Sequence, residues 1–390
     1  MSLISQFYNH PQKIQMSIFT ADGSYSPAVD AWHWFTIIGG GGSGAAAYPT
    51  VNSGLTVACC GGNGGSSRGG WVFLKSSETY TVTVGAGGAA VNVPSSGTGQ
   101  AGAAGGESKL AGGDLASNIV AKGGTGGDFH FGATNGKDYS GVNSVTVENA
   151  ANAAGSGSGS EALGGKGGLI TLDIDTDTGL DFLFATGGGA SNVYSVSPSG
   201  ISGGAIDFNA YGGSDKFCST GGGGVGGTGG DIDLLDIGSN EESWSTSGGG
   251  TATGGAYCND ATASTVPGGI GTGTTEYLEP GGAGGDALFA SDTEPFSETI
   301  GGIGGGGGGN APYNSGNWPT GAMSGVFGEG GLFGGGAGVT CVDGDVDISA
   351  GTGGASGGGG GGIVSINGAE NSGAGGDGVV VLQGFFSPSV

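Results

Sequence analysis

Four aspartates within nine residues are the first place in this chain where chemistry could be done. The run DIDTDTGLD carries Asp173, Asp175, Asp177 and Asp181. Carboxylates at alternate positions ahead of a glycine are the pattern of a calcium loop, in which every second oxygen turns toward the ion. The glycine here stands one residue later than in the EF-hand spacing, and no glutamate follows to close the site with two oxygens. The competing reading is a plain strand, with Leu172 and Ile174 on one face and the aspartates in solvent. Calcium therefore stands as one of two readings, and no other cofactor is implied. Asp231 with Asp233, and Asp343 with Asp345 and Asp347, repeat the alternation, where acids also serve to blunt sheet edges.

Catalytic constellations are not visible. The three histidines, His10, His33 and His130, have no Cys, Glu or second His at metal-ligand spacing. The five cysteines are Cys59, Cys60, Cys218, Cys258 and Cys341. An odd number cannot close into disulfides within one chain, and no C-x-x-C pair occurs, so they read as small buried side chains. Strings such as GGGGSG imitate phosphate loops, but no Gly-Lys-Ser/Thr follows them. The expectation is a protein that is not an enzyme.

Recognition chemistry is better represented. Stretches rich in aromatic, amide and hydroxyl residues read as loops: 129–143 with Tyr139, 240–247 with Trp244, 256–267 with Tyr257, and 310–319 with Tyr313 and Trp318. Tyr and Trp set among Ser, Gly and Asn match the composition of binding loops. The alternative for each is that the ring folds back to cover the layers beneath. Trp32, Trp34 and Trp71 differ, because they fall within β-type runs where packing is the expectation.

The elements that must position these residues are set by glycine, which supplies 102 of the 390 residues and arrives in bursts. Between the bursts lie short apolar runs, among them FTII, WVFL, TYTVTV, LITLDI and VVVLQGFF. Ala31 to Ile38 reads as a strand running into Gly39–Gly42. Trp71–Leu74 and Tyr80–Val84 read as the arms of a β-hairpin around Ser76–Glu78, and Phe19 with Asp22 and Gly23 as a hairpin or corner. The run 379–386 is apolar enough for a paired strand inside a sheet. Helix content should be close to nil, because each glycine in a helix costs about 1 kcal/mol; residues 147–154 are the one weak candidate. Collagen is excluded by the absence of a three-residue register and by only 11 prolines. Side-chain-free tracts can instead adopt the polyproline-II conformation, here polyglycine-II, and satisfy one another's amides when packed side by side. The expected fold class is therefore all-β with polyglycine-II helices: short β-strands and hairpins plus a layered polyglycine-II sandwich, with almost no α-helix.

Charge narrows the partners. Eight Lys plus Arg stand against 33 Asp plus Glu, for a formal net charge of −25. Such a chain repels phosphate backbones, so nucleic acid is excluded as a partner, and an anionic bilayer is disfavoured. No run of 18 apolar residues suits membrane insertion, and the first residues lack the basic and apolar regions of a secretory signal.

Several motifs carry a resemblance. Phe19, Gly23, Tyr25 and Pro27 are followed by an aromatic strand, GGGGSG, GGWVFLKSSETYTVTVGAGG, GGESKLAG, AKGGTGG and finally GGDGVVVLQGFF. This series resembles the glycine-rich domains of bacteriophage tail-fibre and adhesin proteins, and the bulk of the chain is similar to tip adhesins of T-even-like phages. The resemblance covers residues 17–127 and 373–386 by motif and the remainder by composition. It implies a β-rich glycine-rich region over 17–127, a polyglycine-II body with recognition loops over 128–372, and a closing strand over 373–390. Residues 1–16 match none of these motifs and read either as an N-terminal attachment segment or as a floppy terminus. It further implies a virion or extracellular location and a host-surface receptor, protein or saccharide, bound by loop tips. Other fibre or virion proteins are implied as partners, and a homo-oligomer, a trimer, as the assembly. The competing function is an extracellular structural or filament-forming glycine-rich protein.

Overall fold

The computed structural model describes residues 13–48, 55–59, 61–95 and 99–133. Beyond these it describes short strands between 161 and 341, residues 329–330 and 335–336, and residues 347–355, 357–365 and 370–386. Among the described residues every regular element is a β-strand and none is a helix. The first eleven strands are β1 (Lys13–Phe19), β2 (Gly23–Tyr25), β3 (Ala31–Ile38), β4 (Ala46–Ala47), β5 (Leu55–Cys59), β6 (Ser67–Leu74), β7 (Tyr80–Thr83), β8 (Gly99–Gln100), β9 (Ser108–Gly112), β10 (Ile119–Ala121) and β11 (Phe129–Ala133). Glycine and proline density keeps them short, and the alternation of apolar residues fixes their faces.

Two sheets enclose the core. The first is six-stranded. It orders β1, the closing strand Val379–Phe386, β3, β6, and the hairpin Gly168–Asp173 and Leu180–Phe184. The closing strand is antiparallel to both its neighbours, with Ile14↔Phe385 on one side and Trp32↔Phe385 on the other. It is an internal strand, as its apolar density required. The second sheet orders β10, β9, β7 and β2. Tyr25, Phe35, Ile37, Leu74, Tyr80, Val82, Leu110, Ala121, Val380 and Leu382 come from both sheets and form one buried cluster. Each such large side chain contributes about 1.5–3 kcal/mol by leaving water.

The chain crosses from the first sheet to the second at two corners, and returns to the first between β2 and β3. β1 lies in the first sheet and β2 in the second, so Phe19 to Gly23 is a corner. The expected hairpin at residues 71–84 is also a corner. β6 pairs with β3 and with Gly168–Asp173, whereas β7 pairs with β2 and β9. The two arms never meet in a ladder, because each finds its partner in a distant segment. Side chains hold the bend. The Ser76 amide and hydroxyl both donate to Asp30 Oδ1 at 2.7 Å. The Lys75 amide donates to the Tyr80 hydroxyl at 2.9 Å, and that hydroxyl donates to Asp114 at 2.8 Å.

The expected division between an N-terminal segment and the rest, after residue 16, falls inside β1, which starts at Lys13. Residues 147–154 lie outside the described residues.

Glycine-rich stretches run on from the strands and bond to one another. Gly39–Gly44 leave the end of β3, and their amides step through three neighbours in turn. Gly39 donates to Ser66 and Gly42 to Asn63; Gly40 donates to Gly106 and Ser43 to Ala103; Gly41 donates to Gly376 and Gly44 to Gly373, all at 2.8–3.0 Å. Their carbonyls accept from further stretches: Gly40 from Gly124, Gly41 from Gly88, Gly42 from Gly360 and Ser43 from Gly127. Successive peptides thus point in three directions and return every third residue. Buried peptide groups are almost always paired, and here the pairing takes place without a β ladder. Small polar residues within or beside the bursts take over where a carbonyl is wanting. Ser43 accepts from the Ala103 amide and Ser108 from the Gly85 amide, both at 2.8 Å. Asn63 donates to Thr125 across two bursts.

Candidate functional site

The alternation of β3 decides where its chemistry goes. Ala31, His33, Phe35 and Ile37 are buried, while Trp32 is exposed and Trp34 and Thr36 are half-buried. His33 is therefore fully buried in the core. Its Nδ1 lies 3.0 Å from the Ala31 carbonyl and its Nε2 2.8 Å from the Tyr25 hydroxyl. The arrangement fits the neutral ring, with Nδ1–H donating and Nε2 accepting from Tyr25. Burial holds the imidazole below its ordinary pKa and raises that of Tyr25. The pair reads as a satisfied core contact and not as a ligand set.

The opposite face of the same sheet is open toward one end. Register places Trp32 beside Phe73 and Phe385, and Trp34 beside Trp71 and Gln383. The rings meet edge to face, with centroids 5.6 Å apart for Trp32–Phe73 and 5.4 Å for Trp34–Trp71. Trp71 and Phe385 are tilted at 5.1 Å. On the far side of the closing strand, β1 adds Ile14, Met16 and Ile18, exposed by 63%, 56% and 56%. Trp32, Trp71 and Phe73 remain 56%, 43% and 40% exposed. The tryptophans expected to pack on strands are thus on strands, but they pack against one another on an outer surface. At the other end of the sheet the same face closes over Ile38 and Val379.

Charged side chains border the aromatic end of this face. Lys75 and Asp114 form an ion pair at 2.6 Å. It holds the Asp114 carboxyl below, and the Lys75 ammonium above, their usual ranges. Hydrogen bonds from Ser76 hold the Asp30 carboxyl down in the same way.

The recognition candidates fall elsewhere. Trp244 lies on the strand Ser243–Thr246 and Tyr257 on Tyr257–Asn259, so neither is on a loop as expected. These strands are antiparallel, with Trp244↔Asn259 and Thr246↔Tyr257, which puts positions 244 and 257 on one face. The strand Phe217–Ser219 joins them in parallel, Cys218 opposite Trp244. Tyr139, Tyr313 and Trp318 lie outside the described residues.

Of the four aspartates, Asp173 ends one strand of the hairpin and Asp181 pairs with Thr171 of the same strand, which places both on one face. Asp175 and Asp177 lie outside the described residues. Among the described residues no three of His, Cys, Asp and Glu gather at a spacing that would hold a metal. No described helix is long and apolar enough to cross a membrane.

No protein-family model matches this chain, and no curated protein is significantly similar to it. The functional reading therefore rests on the residues themselves. Sequence reasoning missed the open face of the first sheet. Its signal was present in β1, where Ile14, Met16 and Ile18 alternate with Lys13, Gln15 and Ser17.

Proposed function

We propose that this chain is a non-enzymatic adhesin of the phage tail-fibre type, carried at a fibre or spike tip on the virion and binding a host-surface receptor. Its body is read as packed polyglycine-II helices. Support for polyglycine-II packing comes from one observation above all, made in the region expected to be β-rich rather than within 128–372: the amides of Gly39–Gly44 address three neighbouring stretches in rotation, repeating every third residue. Three residues per turn is the period of the polyproline-II conformation, which has no internal hydrogen bonds and must find partners on its neighbours. A body cross-bonded in this way is stiff, so little conformational freedom is lost on docking. Multiple copies per particle then multiply weak contacts.

Receptor contact is assigned to Tyr139, Trp244, Tyr257, Tyr313 and Trp318. The shared face of positions 244 and 257 favours these two as neighbours in one contact patch. The test is adsorption of the fluorescently labelled full chain to a panel of bacterial cells. Binding is expected to at least one host and to drop at least tenfold in Trp244→Ala or Tyr257→Ala with unchanged circular dichroism. Absence of adsorption across the panel, or adsorption indifferent to both substitutions, would refute the reading.

A further inference from the structure

We infer that the open face of the first sheet is a self-association surface, on which a second copy of this chain packs face to face. Ile14, Met16, Ile18, Trp32, Trp71 and Phe73 are each about half exposed. At roughly 100 Å² apiece they expose about 600 Å² of contiguous apolar surface, at the upper end for a soluble monomer. Trp34, Val381, Gln383 and Phe385 extend the patch between them. The total approaches the roughly 800 Å² per partner of a stable standard-size interface.

Charge argues for a copy of the same chain as the occupant. A protein of net charge −25 repels itself wherever acids face each other. β1, β3, β6 and the closing strand contain Lys13 and Arg68 but no Asp or Glu. Arg68 pairs with Ile37, a residue of the opposite face. Two copies can therefore meet across these four strands with no carboxylate among them; the acids nearest the face, Asp30 and Asp114, lie at its aromatic border, where Asp114 is paired with Lys75. The face carries aromatic rings on β3 and β6 and an aliphatic row on β1. A two-fold axis through the closing strand sets the rings of each copy over the row of the other, as two sheets pack about 10 Å apart. The inference stands on this geometry alone, does not rest on the receptor reading, and departs from the trimer that the resemblance implies.

Gln383 supplies the decisive perturbation. It sits at the centre of the face, between Met16 and Trp34 in register, and its amide donates to Met16 Sδ at 3.6 Å. Gln383→Glu puts a carboxylate in the middle of the interface of both copies, yet leaves it solvated in a monomer. Sedimentation equilibrium of the full chain is expected to give a dimer. Gln383→Glu and, independently, Trp71→Ser are each expected to raise its dissociation constant on the order of thirtyfold or more, with the far-ultraviolet circular dichroism unchanged. A monomer at about 100 µM would overturn the inference. So would a trimer, or a dimer that neither substitution weakens. A monomer whose tryptophans already resist acrylamide quenching would overturn it too, by assigning the face to another segment of the chain.

Discussion

Replacing Gly41 with alanine should break the glycine network at a tightly enclosed point. A Cβ at this position would lie 2.5 Å from the Gly358 carbonyl carbon and 2.8 Å from the Gly357 oxygen. Both obstacles are backbone, so no side chain can swing away. The 39–44 stretch must retreat by an ångström or more, and two bonds go with it: Gly41 N–H to Gly376 at 2.8 Å, and Gly88 N–H to Gly41 at 2.7 Å. Each buried peptide group left without a partner costs about 1–3 kcal/mol. Alanine returns about 0.4–1 kcal/mol by restricting the unfolded chain. With one group stranded per lost bond, the net loss is about 1–5 kcal/mol, a substantial part of the roughly 5–15 kcal/mol that holds a typical domain. Differential scanning fluorimetry should show a fall of roughly 5–15 °C. Hydrogen exchange should show faster amides at Gly41, Gly88 and Gly360 together. Gly23→Ala is the control, since its Cβ would meet only the Phe19 ring at 3.4 Å, and should shift stability by no more than about 0.5 kcal/mol. If Gly41→Ala behaves like Gly23→Ala, close backbone approach is not what secures the network.

The remaining expectations concern the first two sheets. His33 is buried with its pKa lowered, so below about pH 6.5 the unfolded chain takes up a proton that the folded chain resists. Stability should therefore fall as pH drops below that value until the folded pKa is passed, and melting curves of His33→Gln should lose this part of the slope. Tyr80→Phe strands the Lys75 amide and removes a donor from Asp114; a loss of about 1–2 kcal/mol is expected in urea unfolding. The Asp30 carboxyl is held below its ordinary pKa by Ser76, so its contribution is present above about pH 4 and disappears as pH falls further. Amide exchange at Ser76, corrected for its intrinsic pH dependence, should accelerate at acid pH in the native chain and already be fast at neutral pH in Asp30→Ala.

What could be read from the sequence follows the range of the interactions. β3 and the closing strand were legible because alternation and apolar density are local properties. The same holds for Tyr80 and Val82, which turn inward while Thr81 turns out. The corner at 75–79 looks like a hairpin in sequence because the ladder partners of its arms lie far away, at Ala31–Ile38 for one and at Gly23–Tyr25 and Ser108–Gly112 for the other. The β-type runs put Trp32 and Trp71 on strands, as observed, but pattern alone cannot say which face of a sheet another layer will cover. Trp244 and Tyr257 sit in short polar runs whose strand character comes from their partners, not from their own composition.

The antiparallel pairing of Ile14 with Phe385 and of Trp32 with Phe385 has a consequence for biosynthesis. β1 and β3 leave the ribosome early, yet the strand that must lie between them is made more than three hundred residues later. At roughly 5–20 residues per second they wait about 20–70 s with their ladder edges unpaired. Nascent chains should therefore be vulnerable to wrong pairing until translation passes Phe386. Premature termination upstream of Val379 should then yield insoluble product rather than a shorter working protein.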